Sequence, residues 1–355
     1  MRTRIWKTVG LDVGDRRSFV YALDAEAELA WKGTISTTKA GMERHLGGRP
    51  RLRVVMEAGT HCHWLSWCLE GLGHEVVVAD PRRVRQAVRH ERKSDERDAR
   101  FLAELAASGV APKLLRPVQP KTAEQVADRA LLMARRALVR ARAGLIHNLR
   151  GLVKAVGHRL PSKSPGSMHK LDLSALPKGI ASLVAEVMPV LQRMTEQIRQ
   201  FDRKMEAIAE TRYPETQLFR QVHGVGPITS LAYRLTLGDP KRFPKSREVG
   251  AYVGLAPGRH QSGDSDPQLR ITKAGNPMLR SLLVQCAHYI LGPHGQDSDL
   301  RRFGERIIER GGRFPKRRAV VAVARKLAIL LHRLWITGEV YDPLRNTQAA
   351  AASSR

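Results

Sequence analysis

The chain has 355 residues, with 61 Lys and Arg against 34 Asp and Glu, a net charge of +27 at pH 7. That length fits about two domains, and 42% hydrophobic with 27% charged residues excludes a disordered, fibrous or membrane-spanning chain. So large a positive charge costs self-repulsion and points to a polyanionic partner; nucleic acid fits, whereas an anionic membrane would want an amphipathic, aromatic-rich helix that is not found.

The N-terminal "MRTRIWKTVGLD" has charge but no apolar core or cleavage site, so it is not read as a signal peptide. Residues 5–11, 18–24 and 28–35 are short runs rich in apolar and β-branched residues, with turns at "DVGDRR" and "AEA"; they predict a three-strand meander. Residues 38–47 predict a helix, 53–58 a buried strand, 63–73 an amphipathic helix closing on glycine, and 74–80 a fifth strand. Helical sequence follows to about residue 108. Three antiparallel strands and then alternating helix and strand is the order of a ribonuclease-H-like (RuvC-like) α/β domain, predicted over residues 1–118.

A mainly helical region is predicted over residues 119–210. Arg129 to Arg159 holds eight Lys or Arg and no acidic residue, on a helix-forming alternation of Ala, Leu and Arg. A solvated helix face is the plain reading; phosphate contact, through Arg135, Arg136, Arg140, Arg142 and Arg150, is the one preferred. Residues 157–179 read as a loop. Val187, Leu191, Met194, Ile198, Phe201, Met205 and Ile208 then follow at heptad spacing, predicting a coiled-coil arm or a self-associating helix pair, kinked or begun at Pro189. A third, helical region is predicted over residues 211–342, followed by a disordered tail, 343–355.

Asp12 closes the first predicted strand and Glu57 the fourth. Asp95 and Asp98 stand one turn apart on a helix that Ser94 caps. They are either exposed charges pairing with Arg92 and Arg97, or half of a metal site completed by Asp12 and Glu57. Like charges about 4 Å apart repel by about 4 kcal/mol at an effective dielectric of 20, and a divalent cation removes that cost. Oxygen-only ligands select Mg²⁺ or Mn²⁺, which suit phosphodiester chemistry. A strand–Asp–Gly start also opens actin-like ATPases, but these want a hydroxyl residue after the glycine, and Asp15, Arg16 and Arg17 follow here. His61, Cys62, His63 and Cys68 share one predicted helix, without a distant pair to close a zinc site. Three cysteines build no disulfide framework, and a reducing, cytoplasmic, nucleoid-associated setting is expected.

In the third region Gly224 and Gly226 frame a turn between predicted helices. It reads as a helix-hairpin-helix turn that approaches a phosphate, or as a tight turn between packed helices. "GVGPIT", "GDPKRF", "YVGLAPGRHQSG", "ITKAGNPMLRSLL" and "AVVAVARKLAILLHRLWITGEVYD" follow in order. With Asp12, Glu57 and "KSDERDA", these stretches resemble the DEDD-type insertion-sequence transposases, bridge-RNA-guided recombinases, over nearly the whole chain.

The resemblance implies that Asp12, Glu57, Asp95 and Asp98 hold Mg²⁺ and that Ser262, in "HQSG", is the nucleophile. The stretch after Ser262, "DSDP", departs from the glycine- and lysine-rich pattern of many relatives and leaves Ser265 as a rival. Attack of a serine hydroxyl on a DNA phosphate forms a phosphoserine link and frees a 3′-hydroxyl, so strands exchange without ATP. Arg259, His260, Arg270 and Lys273 flank Ser262 as phosphate ligands. The resemblance further implies donor and target DNA, a structured guide RNA, and a dimer or tetramer in which one protomer's carboxylates meet another's Ser262. A hydrolytic RuvC-like nuclease and a non-catalytic nucleic-acid-binding protein are the alternatives.

Overall fold

The computed structural model describes residues 4–81, 84, 94–108, 117–262, 265, 267 and 269–347. The helical reading of residues 82–93 and the tail at 348–355 lie outside them. Two compact units are formed, Met1–Val126 and Ala127–Arg355.

The N-terminal unit is built on a five-stranded sheet in the order β3-β2-β1-β4-β5. β1 (Thr8–Asp12), β2 (Arg17–Leu23) and β3 (Leu29–Ser36) form the antiparallel meander, while β4 (Arg53–Glu57) and β5 (Glu75–Ala79) run parallel to β1. The first and fourth strands are therefore neighbours, as in the ribonuclease-H-like order. One sheet face packs Val9, Leu11, Val54 and Met56 against Met42 and Leu46 of α1 (Lys39–Leu46) and Leu65 and Leu69 of α2 (Cys62–Gly71). The opposite face receives α3 (Asp95–Ala107), whose Ala99, Leu102, Ala103 and Ala106 pack on β1, β2 and β4. Ser94 caps α3, its hydroxyl accepting from the Arg97 amide at 3.3 Å.

In the C-terminal unit the two long helices, α4 (Ala123–Ala155) and α5 (Lys178–Arg212), form an antiparallel hairpin. Side chains pair in descending order along it: Asp128 with Arg212 and Tyr213, Arg135 with Asp202, Arg142 with Thr195. At its far end Ile146, Leu149 and Val153 meet Val184, Met188 and Leu191. The heptad stripe of α5 is thus covered from within the chain: Leu191, Ile198 and Met205 are buried, and α4 supplies the partner that the periodicity demanded. Pro189 sits inside the continuous helix. The connecting stretch is no simple loop, since a 3-10 turn at Pro165–Lys170 buries Met168.

The hairpin's root joins the helical core. Leu132, Met205 and Ala209 share one cluster with Phe219, Tyr233, Leu283 and Leu327, which is why the predicted middle and third regions form one unit. That core comprises α6 (Thr216–Arg220), α7 (Pro227–Leu237), α8 (Arg247–Tyr252), α9 (Pro277–Leu291), α10 (Asp299–Glu309) and α11 (Pro315–Thr337). Residues 343–347, expected in a disordered tail, are held instead by Asp299. Its carboxylate accepts from the Asn346 amide at 2.7 Å and the Thr347 hydroxyl at 2.7 Å, and its own amide donates to the Pro343 carbonyl.

Candidate functional site

Strand alternation aims the first two carboxylates. With Val9 and Leu11 of β1 turned toward α1 and α2, Gly10 and Asp12 face the α3 side; Val55 and Glu57 of β4 do the same. The strands are parallel with Leu11 opposite Met56, so Asp12 and Glu57 emerge together one residue later, at the same sheet edge. They line a cleft of about 410 Å³ with Val13, Asp15, Ala58, Gly59, Thr60, His61 and Cys62.

Gly10 sets the height of α3 above this edge. A Cβ there would lie 1.9 Å from the Ala99 carbonyl oxygen and 2.5 Å from the Ala103 amide nitrogen, so only glycine admits the helix this closely. The first turn of α3 carries Asp95 and Asp98. Among the described residues, no three or more His, Cys, Asp or Glu side chains are gathered into a metal-binding group. Asp12 and Glu57 share the cleft, whereas Asp95 and Asp98 do not line it. Asp12 and Glu57, two oxygen donors in one cleft, are of the chemical type that suits a hard divalent cation.

His61 and Asp15 belong to this cleft and were not singled out for it from sequence. The Trp64 indole N–H donates to His61 Nδ1 at 3.0 Å, and His61 Nε2 lies 3.5 Å from the Asp15 carboxylate. The signal was position: His61 follows Glu57 by four residues, in the loop that β4 enters. His63 has a different task, its Nδ1 accepting from the Lys121 amide at 3.2 Å.

Ser262 lies in the C-terminal unit, on an excursion between α8 and α9. The base is closed by the Gly258 amide donating to the Arg270 carbonyl and the Thr272 amide to the Ala256 carbonyl, both at 2.9 Å. Gly254 (φ +73°) leaves no room for a side chain, since a Cβ would lie 2.1 Å from the Ala274 carbonyl oxygen. Arg280 staples the base by donating to the carbonyls of Val253 and Ala274 at 3.1 and 2.7 Å. Near the tip, Ser262 and Ser265 exchange backbone N–H···O bonds, both at 3.1 Å. Ser262, Arg259, His260, Arg270 and Lys273 are all exposed. Gly263 and Asp264 lie outside the described residues.

The other sequence-selected residues divide. Arg135 and Arg142 face α5: Arg135 is ion-paired with Asp202, and Arg142 donates to Thr195 at 2.9 Å while its Nε is buried without a hydrogen-bond partner. Burial first, then the charges of Arg135 and Arg199, pushes the Arg142 guanidinium below its ordinary value. Arg136, Arg140 and Arg150 lie off that seam; Arg140 is exposed and the other two half-buried. Gly224 adopts φ +95°, and a Cβ there would stand 3.0 Å from the Tyr289 ring. Gly226 precedes Pro227 at the start of α7. Conformation and packing against α9 account for Gly224, in keeping with a tight turn.

Comparison with known proteins joins the two units. Residues 9–158 match the IS110-type DEDD model, described as a transposase, and residues 216–305 match one described as the transposase IS116/IS110/IS902 family. The chain is 31% identical over 327 residues to the transposase for insertion sequence element IS1111A of Coxiella burnetii, covering 88% of this chain and 86% of that protein. It is 27% identical over 343 residues to a "probable family 20 transposase" of Pseudomonas aeruginosa, covering 94% of this chain and 98% of the relative. A pilin gene-inverting protein of Moraxella lacunata is 28% identical over 126 residues, 35% of this chain and 38% of that protein. The mixed sheet is consistent with a DEDD nuclease-like domain, and its DEDD character points to dependence on a divalent metal. No helix among the described residues is long and apolar enough to cross a membrane. With both matched regions and a relative spanning most of its length, the chain belongs to the IS110/IS116/IS902 family of insertion-sequence transposases, enzymes that recombine DNA.

Proposed function

We propose that this transposase cuts and rejoins DNA through a covalent link between Ser262 and a DNA phosphate, with Mg²⁺ and under the direction of a structured RNA. The observation that carries this reading is the setting of Ser262: a hydroxyl presented to solvent near the tip of a stapled excursion, among exposed cations. In the step proposed, the Ser262 Oγ–P bond forms as the P–O3′ bond breaks; the serine proton leaves, and the departing oxygen becomes a 3′-hydroxyl. Religation reverses these bonds, so the bond energy is retained. Arg259, Arg270 and Lys273 hold the phosphate by charge-assisted hydrogen bonds, with His260 as a further donor.

Asp12, Glu57, Asp95 and Asp98 are the residues that would hold Mg²⁺ or Mn²⁺; such an ion, when bound, would supply Lewis-acid neutralisation of phosphate charge. Arg136, Arg140 and Arg150 offer a basic surface for RNA or DNA backbone, and base pairing rather than side chains reads the sequence. The carboxylates and Ser262 belong to different compact units, in keeping with a dimer or tetramer in which two protomers complete one site.

A second reading is favoured by one observation: Asp12 and Glu57 line a cleft within a single unit, where water in place of Ser262 would suffice for cutting. Excision of a marked element in cells separates the two. Ser262→Ala and Asp12→Ala both abolish it under the first reading. Cutting that survives Ser262→Ala establishes the second.

A further inference from the structure

We propose that residues 310–318, the connection from α10 to α11 together with the first turn of α11, are a docking site for an unpaired nucleotide of a DNA or RNA strand. Phe314 is the stacking platform and the surrounding cations hold the phosphates.

The segment reads "RGGRFPKRR": Arg310, Arg313, Lys316, Arg317 and Arg318 without an acidic residue, and every one of these side chains is exposed. Phe314 stands among them, 54% exposed. Among the described Phe, Tyr and Trp residues, only Phe314 and Tyr289 are exposed, and Tyr289 packs edge-on against His223. The guanidinium carbons of Arg313 and Arg317 lie 5.3 and 5.1 Å from the centre of the Phe314 ring.

The backbone sharpens the point. Phe314 has φ +55°, the left-handed region that a bulky residue enters only at a cost. Gly311 and Gly312 beside it already adopt positive φ, +65° and +86°, so glycine chemistry is available for the turn. A turn needing only conformation has no use for an outward phenyl ring at this position. The ring therefore serves something outside the fold.

Charge and shape together select the partner. Five exposed cations match closely spaced phosphates, and a phenyl face between guanidinium groups matches the face of a base. In a duplex those faces are covered by neighbouring pairs, so the ring selects an unpaired base. On binding, a base takes the place of one guanidinium over the ring, and that guanidinium turns to a phosphate oxygen. No metal and no serine takes part, so this inference stands or falls independently of the cleavage chemistry.

The test uses the full-length protein and anisotropy of labelled 12-nucleotide oligo-dT, 12-nucleotide oligo-U and a 12-base-pair DNA duplex. Phe314→Gly removes the ring and relieves the left-handed backbone. It is expected to weaken single-strand binding roughly 5- to 150-fold, to leave duplex binding unchanged, and to leave the Tm unchanged or raised. Arg313→Gln with Arg317→Gln is expected to lower the salt slope for single strands by about 1.4, near 0.7 per lost phosphate contact. Cross-linking of 5-iodouracil oligonucleotides is expected on the peptide that carries Phe314. The stronger of the oligo-dT and oligo-U arms identifies the strand as DNA or RNA. Unchanged single-strand affinity in Phe314→Gly, an equal fall for duplex and single strand, or equal displacement by poly-glutamate overturns the proposal.

Discussion

Gly10→Ala places one methyl group where the backbone of α3 now sits. The new Cβ would stand 1.9 Å from Ala99 O and 2.5 Å from Ala103 N, both main-chain atoms of a packed helix that cannot swing aside. Ordinary contact begins near 3.4 Å, so α3 must withdraw by about 1.5 Å from β1. Overpacking of this kind costs about 1–3 kcal/mol, a fall of roughly 4–15 °C in the transition of a unit this size. The withdrawal also moves Asp95 and Asp98, in the first turn of α3, relative to β1. Misplacement of a reacting group by about 1 Å costs on the order of 100-fold in rate. The assay is differential scanning calorimetry beside excision of a marked element in cells. Gly71→Ala, at the end of α2 with nothing within 4 Å of the added Cβ, is the control and should change neither. A Gly10→Ala protein with unaltered unfolding and full excision would refute the placement of α3 on β1.

Three further outcomes follow from the C-terminal unit. Asp128 is 3% exposed and accepts from Arg212 Nη1 at 2.8 Å and the Tyr213 hydroxyl at 2.9 Å, so Asp128→Ala should destabilise the hairpin root by about 2–4 kcal/mol in urea unfolding. A midpoint unchanged by that substitution would show the buried carboxylate to be dispensable. For Asp299, burial raises the carboxyl's pKa, but hydrogen bonds from Thr347 and Asn346 outweigh it and leave the group below its ordinary 3.8. A depressed carboxyl stabilises above that value and loses the contribution as pH falls through the folded pKa, so the 343–347 strap should hold at neutral pH and loosen only below about 3.8, as amide exchange would report. Asp299→Asn should expose Arg345 to trypsin at neutral pH; identical cleavage rates would count against the strap. Arg142→Met should raise the Tm, because it replaces a half-buried cation, whose Nε is buried without a hydrogen-bond partner, by an apolar chain of similar length. A drop in nucleic-acid affinity with no gain in stability would instead return Arg142 to the binding surface.

The N-terminal unit was legible because its strands are short apolar and β-branched runs bounded by turns; β1 and β4 are buried on both faces, so the side taken by Asp12 and Glu57 emerges only from the packing of α1, α2 and α3. The pattern in α5 was legible as a stripe needing a partner, but a heptad does not say which helix supplies it. Here Ile146, Leu149 and Val153 of α4 do so from the same chain. Charge runs have a similar blind side. Arg135 and Arg136 are adjacent in sequence, yet one faces Asp202 across the hairpin and the other does not, because successive residues on a helix point about 100° apart. Met168 in its 3-10 turn and the Asp299 strap depend on long-range partners that no local window contains. The chemistry proposed for Ser262 rests on resemblance, since an exposed serine on a turn has no composition signature of its own.

The most direct test of the central claim is mass spectrometry of protein recovered from cells carrying the element with its flanking DNA, after denaturation and nuclease digestion. A nucleotide joined to the peptide containing Ser262, absent from Ser262→Ala and Asp12→Ala proteins, is the predicted result. Cut DNA with no protein attached, or a nucleotide joined to Ser265 instead, would contradict it.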